Sequence, residues 1–185
     1  MQKFLTTISI FLLTTSIANA APEWKIIPAK SKIEFKVAQD SSTISGSFKK
    51  FSGKINFDPA QLKTSKAEIE IDVTSVNASL DSASETLQGA AWFASKTFPK
   101  ATFTATKFSS KDNKNFRADG FLSIKGKQLP VVLDFNFTEL SENKAHAIAK
   151  ATIKRSTFAV GDVDPKKANG VADDVFVTID IAAER

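Results

Sequence analysis

The chain has 185 residues, no cysteine, one histidine and a formal net charge of +5. The missing cysteines exclude disulfides, thiolate chemistry and a cysteine-linked lipid anchor, and a lone histidine is a poor start for a metal site. The lysines are spread among acids along the chain, which reads as a solvated outer face and not as the clustered stripe that binds nucleic acid.

Met1-Gln2-Lys3 precedes an apolar run from Phe4 to Ile17, and Ala18-Asn19-Ala20 supplies the small residues that signal peptidase accepts. Residues 1–20 therefore read as a secretory signal peptide and 21–185 as one exported domain, expected in the periplasm. The leader run is short for a membrane span, and no later segment has the necessary length of apolar sequence. A domain of this size can bury a core without disulfide staples.

Period-two alternation then marks strands at Ile33, Phe35 and Val37, at Ile44, Gly46 and Phe48, at Phe51, Gly53, Ile55 and Phe57, and at Ile69, Ile71 and Val73. Between Phe48 and Phe51 the apolar phase slips by one residue, which predicts a β-bulge at Lys49-Lys50. Asp58-Pro59 and the residues to Lys66 form a loop, and pairing Ile55 with Ile69 sets Lys54 opposite Glu70. One helix is predicted over 81–94, with Ser82 and Glu85 as a capping box. Trp92 and Phe93 gather with Phe98-Pro99 at its end, the one large apolar group outside a strand, and are expected to border a ligand entrance.

Strands resume from Ala101 to Phe108. A hairpin follows, with Phe116, Ala118, Gly120, Leu122 and Ile124 on one face, a Lys125-Gly126-Lys127 turn, and Val131, Leu133, Phe135 and Phe137 on the returning face. From Ala145 to Arg155, four alanines (Ala145, Ala147, Ala149 and Ala151) share an inward phase with Arg155. His146 lies in the outward phase as an ordinary surface residue. The alanine row either faces bulky partners such as Phe135 and Phe137 or leaves room for a guest, and the room is the expectation. Asp173-Asp174 and Asp162 with Asp164 read as loop-solvating carboxylates. Alternating valines and isoleucines from Val175 to Ile181 close the chain.

About eight strands with a single helix cannot hide their apolar face under helices, so the fold class is all-β: one antiparallel eight-stranded barrel with the helical segment over an end, leaving room for one ligand. Sixteen phenylalanines occur with no tyrosine. Such rings need no hydrogen-bond partner when buried, which suits a hydrocarbon ligand and a filled core alike. No G-x-S-x-G, P-loop or G-x-G-x-x-G is present, so no catalytic residues are assigned and the chain is not expected to be an enzyme.

Trp24 with Ser31-x-Ile33-x-Phe35-x-Val37, Gly46-x-Phe48-x-x-Phe51-x-Gly53-x-Ile55-x-Phe57-Asp58-Pro59, Trp92-Phe93 with Phe98-Pro99-x-Ala101-x-Phe103, Gly120-x-Leu122-x-Ile124-x-Gly126 and Arg155-Ser156-Thr157-Phe158-Ala159-Val160-Gly161 together resemble the YceI-like family of exported lipocalin-like barrels. The resemblance spans nearly all of residues 21–185. It implies an isoprenoid lipid, polyprenyl or quinone-type, as ligand rather than cofactor, held as by a carrier or store. A role beside the membrane surface or a membrane redox protein is the alternative. The positions expected to line the interior are Phe35, Phe48, Phe57, Phe103, Leu122, Ile124, Leu133, Phe135, Phe137, Ala147, Ala149, Val177 and Ile179. Leu87, Trp92, Phe93, Arg155 and Phe158 are assigned to the same lining and its entrance. Two residues depart from the family pattern: Ala159 stands where glycine is frequent, and Ser84-Glu85 replaces a basic-acidic pair before Leu87, which favours an uncharged head group over a phosphate.

Overall fold

The computed structural model describes residues 20–79, 81–112, 114–161 and 170–185. The predicted leader and the Asp162/Asp164 pair lie outside them. The strands are β1 Glu23–Ile26, β2 Lys32–Gln39, β3 Ser42–Phe48, β4 Phe51–Asn56, β5 Lys66–Asp72, β6 Val76–Ala78, β7 Lys100–Ser110, β8 Asn115–Ile124, β9 Lys127–Leu140, β10 Lys144–Lys154 and β11 Val171–Glu184, with helix α1 at Asp81–Gln88. These eleven segments make eight staves, because β1 and β2, β3 and β4, and β5 and β6 are each one long strand interrupted. β1 pairs with β4 as well as β11, and every neighbour is antiparallel, so the sheet closes on itself.

Each interruption has an identifiable cause. β1 and β2 separate at a short 3₁₀ turn, and the Ser31 hydroxyl fills the gap by donating to Ile27 O (2.8 Å) and accepting from Ala182 N–H (3.0 Å). The phase slip at Lys49-Lys50 is real, since Phe48 and Phe51 both turn inward. It is resolved by a break and not by the predicted bulge. The two lysine N–H groups leave the ladder and donate to Ser75 O (3.2 Å) and Ser75 Oγ (2.9 Å) in the facing 3₁₀ turn Val73–Ser75. N–H groups that leave a ladder need other acceptors, and this turn supplies them.

The β4–β5 register also differs from the expected pairing. Ile55 faces Ala67 and Lys54 faces Glu68, while Glu70 pairs with Lys100 of β7 at 2.9 Å. The loop and 3₁₀ turn between the strands set this register, which is invisible in the alternation alone. The β8–β9 hairpin forms as read: Phe116 faces Phe135, Ala118 faces Leu133 and Gly120 faces Val131. Its two-residue turn has positive φ at both Lys125 (51°) and Gly126 (74°), the backbone a right-twisted hairpin needs.

The helix begins at Asp81, so Ser82 lies inside it and its carbonyl accepts from the Thr86 hydroxyl (2.8 Å); the predicted capping box does not form. It stops at Gln88 and not Ala94. Beyond Gly89 the last-turn carbonyls are taken by a tighter path: Phe93 N–H donates to Leu87 O, and Ser95 N–H to Gln88 O. Asp173 and Asp174 stand on β11 and not in a loop, where Asp174 meets Lys154 at 2.8 Å.

Candidate functional site: an apolar lumen in two lobes

The inward faces enclose two cavities of ≈ 150 Å³ and ≈ 120 Å³. The larger, upper lobe lies beneath Leu87, Trp92, Phe93, Phe158 and Val160; the lower lies at the opposite end, against Trp24, Phe57 and Ala183. Every stave contributes to both, as period two requires: on β10, Ala151 and Ile153 wall the upper lobe, and Ala145, Ala147 and Ala149 the lower. The lining is apolar throughout the upper lobe and almost so in the lower.

The lower end is lined by packed aromatic rings. Phe57 is the hub of an aromatic cluster, with ring centroids 5.3–5.8 Å from Phe108, Phe116, Phe135 and Phe137, mostly edge to face. Trp24 Nε1 donates to Phe57 O (2.9 Å), and Arg185 lies over the indole at 4.8 Å. Ala147 and Ala149 stand beside Phe137 and Phe135 on the neighbouring strand and still border open volume, so the small row has bulky neighbours and leaves room as well.

The upper end is assembled from chain that is not strand. Residues 89–98 cross the barrel mouth, with the Phe93 ring edge-on to Phe48 at 5.8 Å and Phe98 against Gly126. The Ala91 carbonyl accepts two hydrogen bonds, from Gly161 N–H (2.9 Å) and Lys125 Nζ (3.1 Å), and Lys125 also donates to Ala159 O (2.8 Å). Burial, then the charge of Lys127, holds the Lys125 ammonium below the usual lysine value.

Arg155 opens a 3₁₀ turn at Arg155–Phe158, one residue past the strand end, and is 6% exposed. Its guanidinium donates to Ala172 O (3.0 Å), Val160 O (3.0 Å) and Val171 O (2.9 Å) and lies over Trp92 at 5.6 Å. Gly161 makes this contact feasible: its φ is +72°, and a Cβ there would come within 2.8 Å of Arg155 Nη1 and 2.9 Å of the Trp92 ring. Asp173 supports the same turn by accepting from Ser156 N–H (2.9 Å). Burial pushes its carboxyl up, but the Ser156 hydrogen bonds and the charges of Lys154 and Arg155 outweigh this and leave it below the usual carboxylate value.

The structure places every one of the predicted lining positions against one lobe or the other. Ile33 and Ile69, which share the same alternation but are not among those positions, line both lobes. Val160 and Val171 flank chain with no periodic signal. His146 faces outward and meets Asp180 at 2.5 Å. Among the described residues, no three acidic or histidine side chains gather as metal ligands.

A closed eight-stranded antiparallel barrel with an apolar interior and one short helix over its mouth defines the class of lipocalin-like barrels. The sequence profile of the YceI-like domain matches residues 24–183, and the chain belongs to the YceI-like family. A UPF0312 protein of Vibrio cholerae is 28% identical over 110 residues, 59% of this chain and 58% of that protein. A UPF0312 protein of Shewanella baltica is 26% identical over 99% of this chain and 96% of its own length. Among solved structures, BcnA of Burkholderia cenocepacia superposes with a TM-score of 0.79 at 30% identity, covering 85% of this chain and 98% of that one. A polyisoprenoid-binding domain from Saccharophagus degradans shares the fold at a TM-score of 0.68 and 16% identity, covering 87% and 97%.

Proposed function

We propose that this chain is an exported binding protein that holds the hydrocarbon chain of an isoprenoid lipid in the barrel lumen, as carrier or store. The observation that carries the reading is the lumen itself: two adjoining cavities, walled by side chains with no hydrogen-bonding group directed into the upper one. Burial of each methylene there contributes about 0.8 kcal/mol, so a chain of several isoprene units gains enough to offset its immobilisation. A phosphate or a quinone carbonyl drawn inside would lose water with nothing to replace it. The head group therefore stays at the Trp92 rim, and Arg155, whose N–H groups serve the carbonyls of Ala172, Val160 and Val171, acts as a staple for the mouth. Family membership and the polyisoprenoid-binding neighbour support the choice of an isoprenoid over other lipids, and the leader supports export.

The test is direct: produce the full chain in an exporting bacterial host, extract the purified protein with organic solvent, and identify the co-purified lipid by mass spectrometry. A polyprenyl or isoprenoid-quinone species is expected. An extract holding only straight-chain fatty acids or phospholipids would overturn the reading.

A further inference from the structure

The two lobes meet at a level bordered from five of the eight staves. Ile33, Ile69, Phe103, Leu133 and Ile179 border both cavities, each from a different stave. Two of the five lean on a glycine of the adjoining strand. A Cβ at Gly120 would come within 2.6 Å of the Phe103 ring, and one at Gly53 within 2.5 Å of Ile69 Cδ1. These two side chains therefore lie back against the wall, in space that any larger residue at Gly53 or Gly120 would occupy. The boundary between the lobes is made of side chains, and side chains change rotamer far more readily than a closed ladder deforms.

We propose that this waist sorts isoprenoids by length: a short chain is held wholly in the upper lobe, and a long one binds by passing tail-first through the waist into the lower lobe. The proposal rests on the isoprenoid reading above. The upper lobe has the mouth, so the tail must reach the lower lobe through the waist; the Phe57 cluster stops it at the far end. The methyl groups of Ala147 and Ala149 leave the volume the tail takes, while Phe137 limits it. Length selection of this kind needs no contact with the head group.

The probes are farnesol and solanesol, neutral prenols of short and long chain delivered from cyclodextrin, with affinities read by calorimetry on the full exported chain. Wild type is expected to bind both, solanesol more tightly. Ala147→Leu is expected to leave farnesol affinity within about twofold and to weaken solanesol about a hundredfold, the loss for a tail denied several methylenes of burial. Retained farnesol binding shows that the variant is folded. Phe137→Leu works in the opposite sense, tightening solanesol while farnesol stays unchanged, and carries the test alone if Ala147→Leu does not fold. Equal effects on both prenols, or none on solanesol, would overturn the waist as a length filter while leaving lipid binding intact. A wild-type protein that takes neither prenol would overturn the isoprenoid reading itself.

Discussion

The two ends of the barrel use the same pair of residue types and are closed by different physics. At the lower end Arg185 covers Trp24, at the upper end Arg155 covers Trp92. Trp24 belongs to a strand paired on both sides, and behind it phenylalanine rings interlock, so that end is held by apolar burial and ladder bonds together. Trp92 belongs to chain without ladder partners, held at the rim by the Gly161 and Lys125 donors to the Ala91 carbonyl and by the covering Arg155, itself fixed by the carbonyls of Val160, Val171 and Ala172. Hydrophobic packing is lost only by exposing large areas at once, whereas a handful of hydrogen bonds, each with a small net contribution, can open locally. On the proposed reading the lower end is the floor and the upper end the mouth.

The largest expected effect is at the floor. Phe57→Ala should cost about 3–5 kcal/mol, because the ring is almost fully buried among four others that cannot all collapse into its place. Urea titration at neutral pH measures it, and a loss under about 1 kcal/mol would show that the floor is not packed. Arg155→Met should be comparable but somewhat smaller, about 3 kcal/mol, from leaving buried carbonyls without donors. Its affinity for a prenol should be unchanged, since the guanidinium faces carbonyls and not the lumen. Weakened prenol binding at intact stability would instead make Arg155 a head-group ligand and the mouth a charged site.

A gain is expected at the mouth. Ala159 has φ 54° and ψ 36°, a left-handed conformation that penalises a residue with a Cβ by roughly 1–2 kcal/mol. Ala159→Gly should therefore raise stability by up to about 1 kcal/mol, the relief being partly offset by glycine's extra freedom when unfolded. A lower melting temperature for the variant would mean the methyl group has a packing role. The smallest effect is in acid. Asp173 titrates below the ordinary carboxylate value when folded, so its contribution is fully present above that ordinary value and is lost as pH falls through the folded one. Asp173→Asn should lower stability slightly at neutral pH, where that contribution is fully present, and flatten the acid side of the melting profile.

The barrel was legible because its signal is redundant: each long stave repeats the period-two alternation, and the β8–β9 hairpin adds a turn sequence that fixes its register. What escaped the sequence was whatever depends on a partner far along the chain. The Lys49-Lys50 break exists because Ser75 offers acceptors there; β1 and β6 are too short for alternation to announce them. The helix end at Gln88 follows from Ser95 and Phe93 folding back, which no helical periodicity encodes. The lining was legible for the same reason as the strands. The two-lobe division was not, since it depends on where side chains from different strands meet across the lumen.

The mouth at Trp92 and the floor at Trp24 are separated most directly by fluorescence. In a Trp24→Phe protein the remaining indole reports the mouth, and in a Trp92→Phe protein it reports the floor. Titration of lipid-stripped protein with farnesol should shift Trp92 emission to shorter wavelength and leave Trp24 emission unchanged, because a short chain occupies the upper lobe beneath the indole of Trp92. A Trp92 spectrum indifferent to saturating prenol, or a response at Trp24 alone, would contradict it.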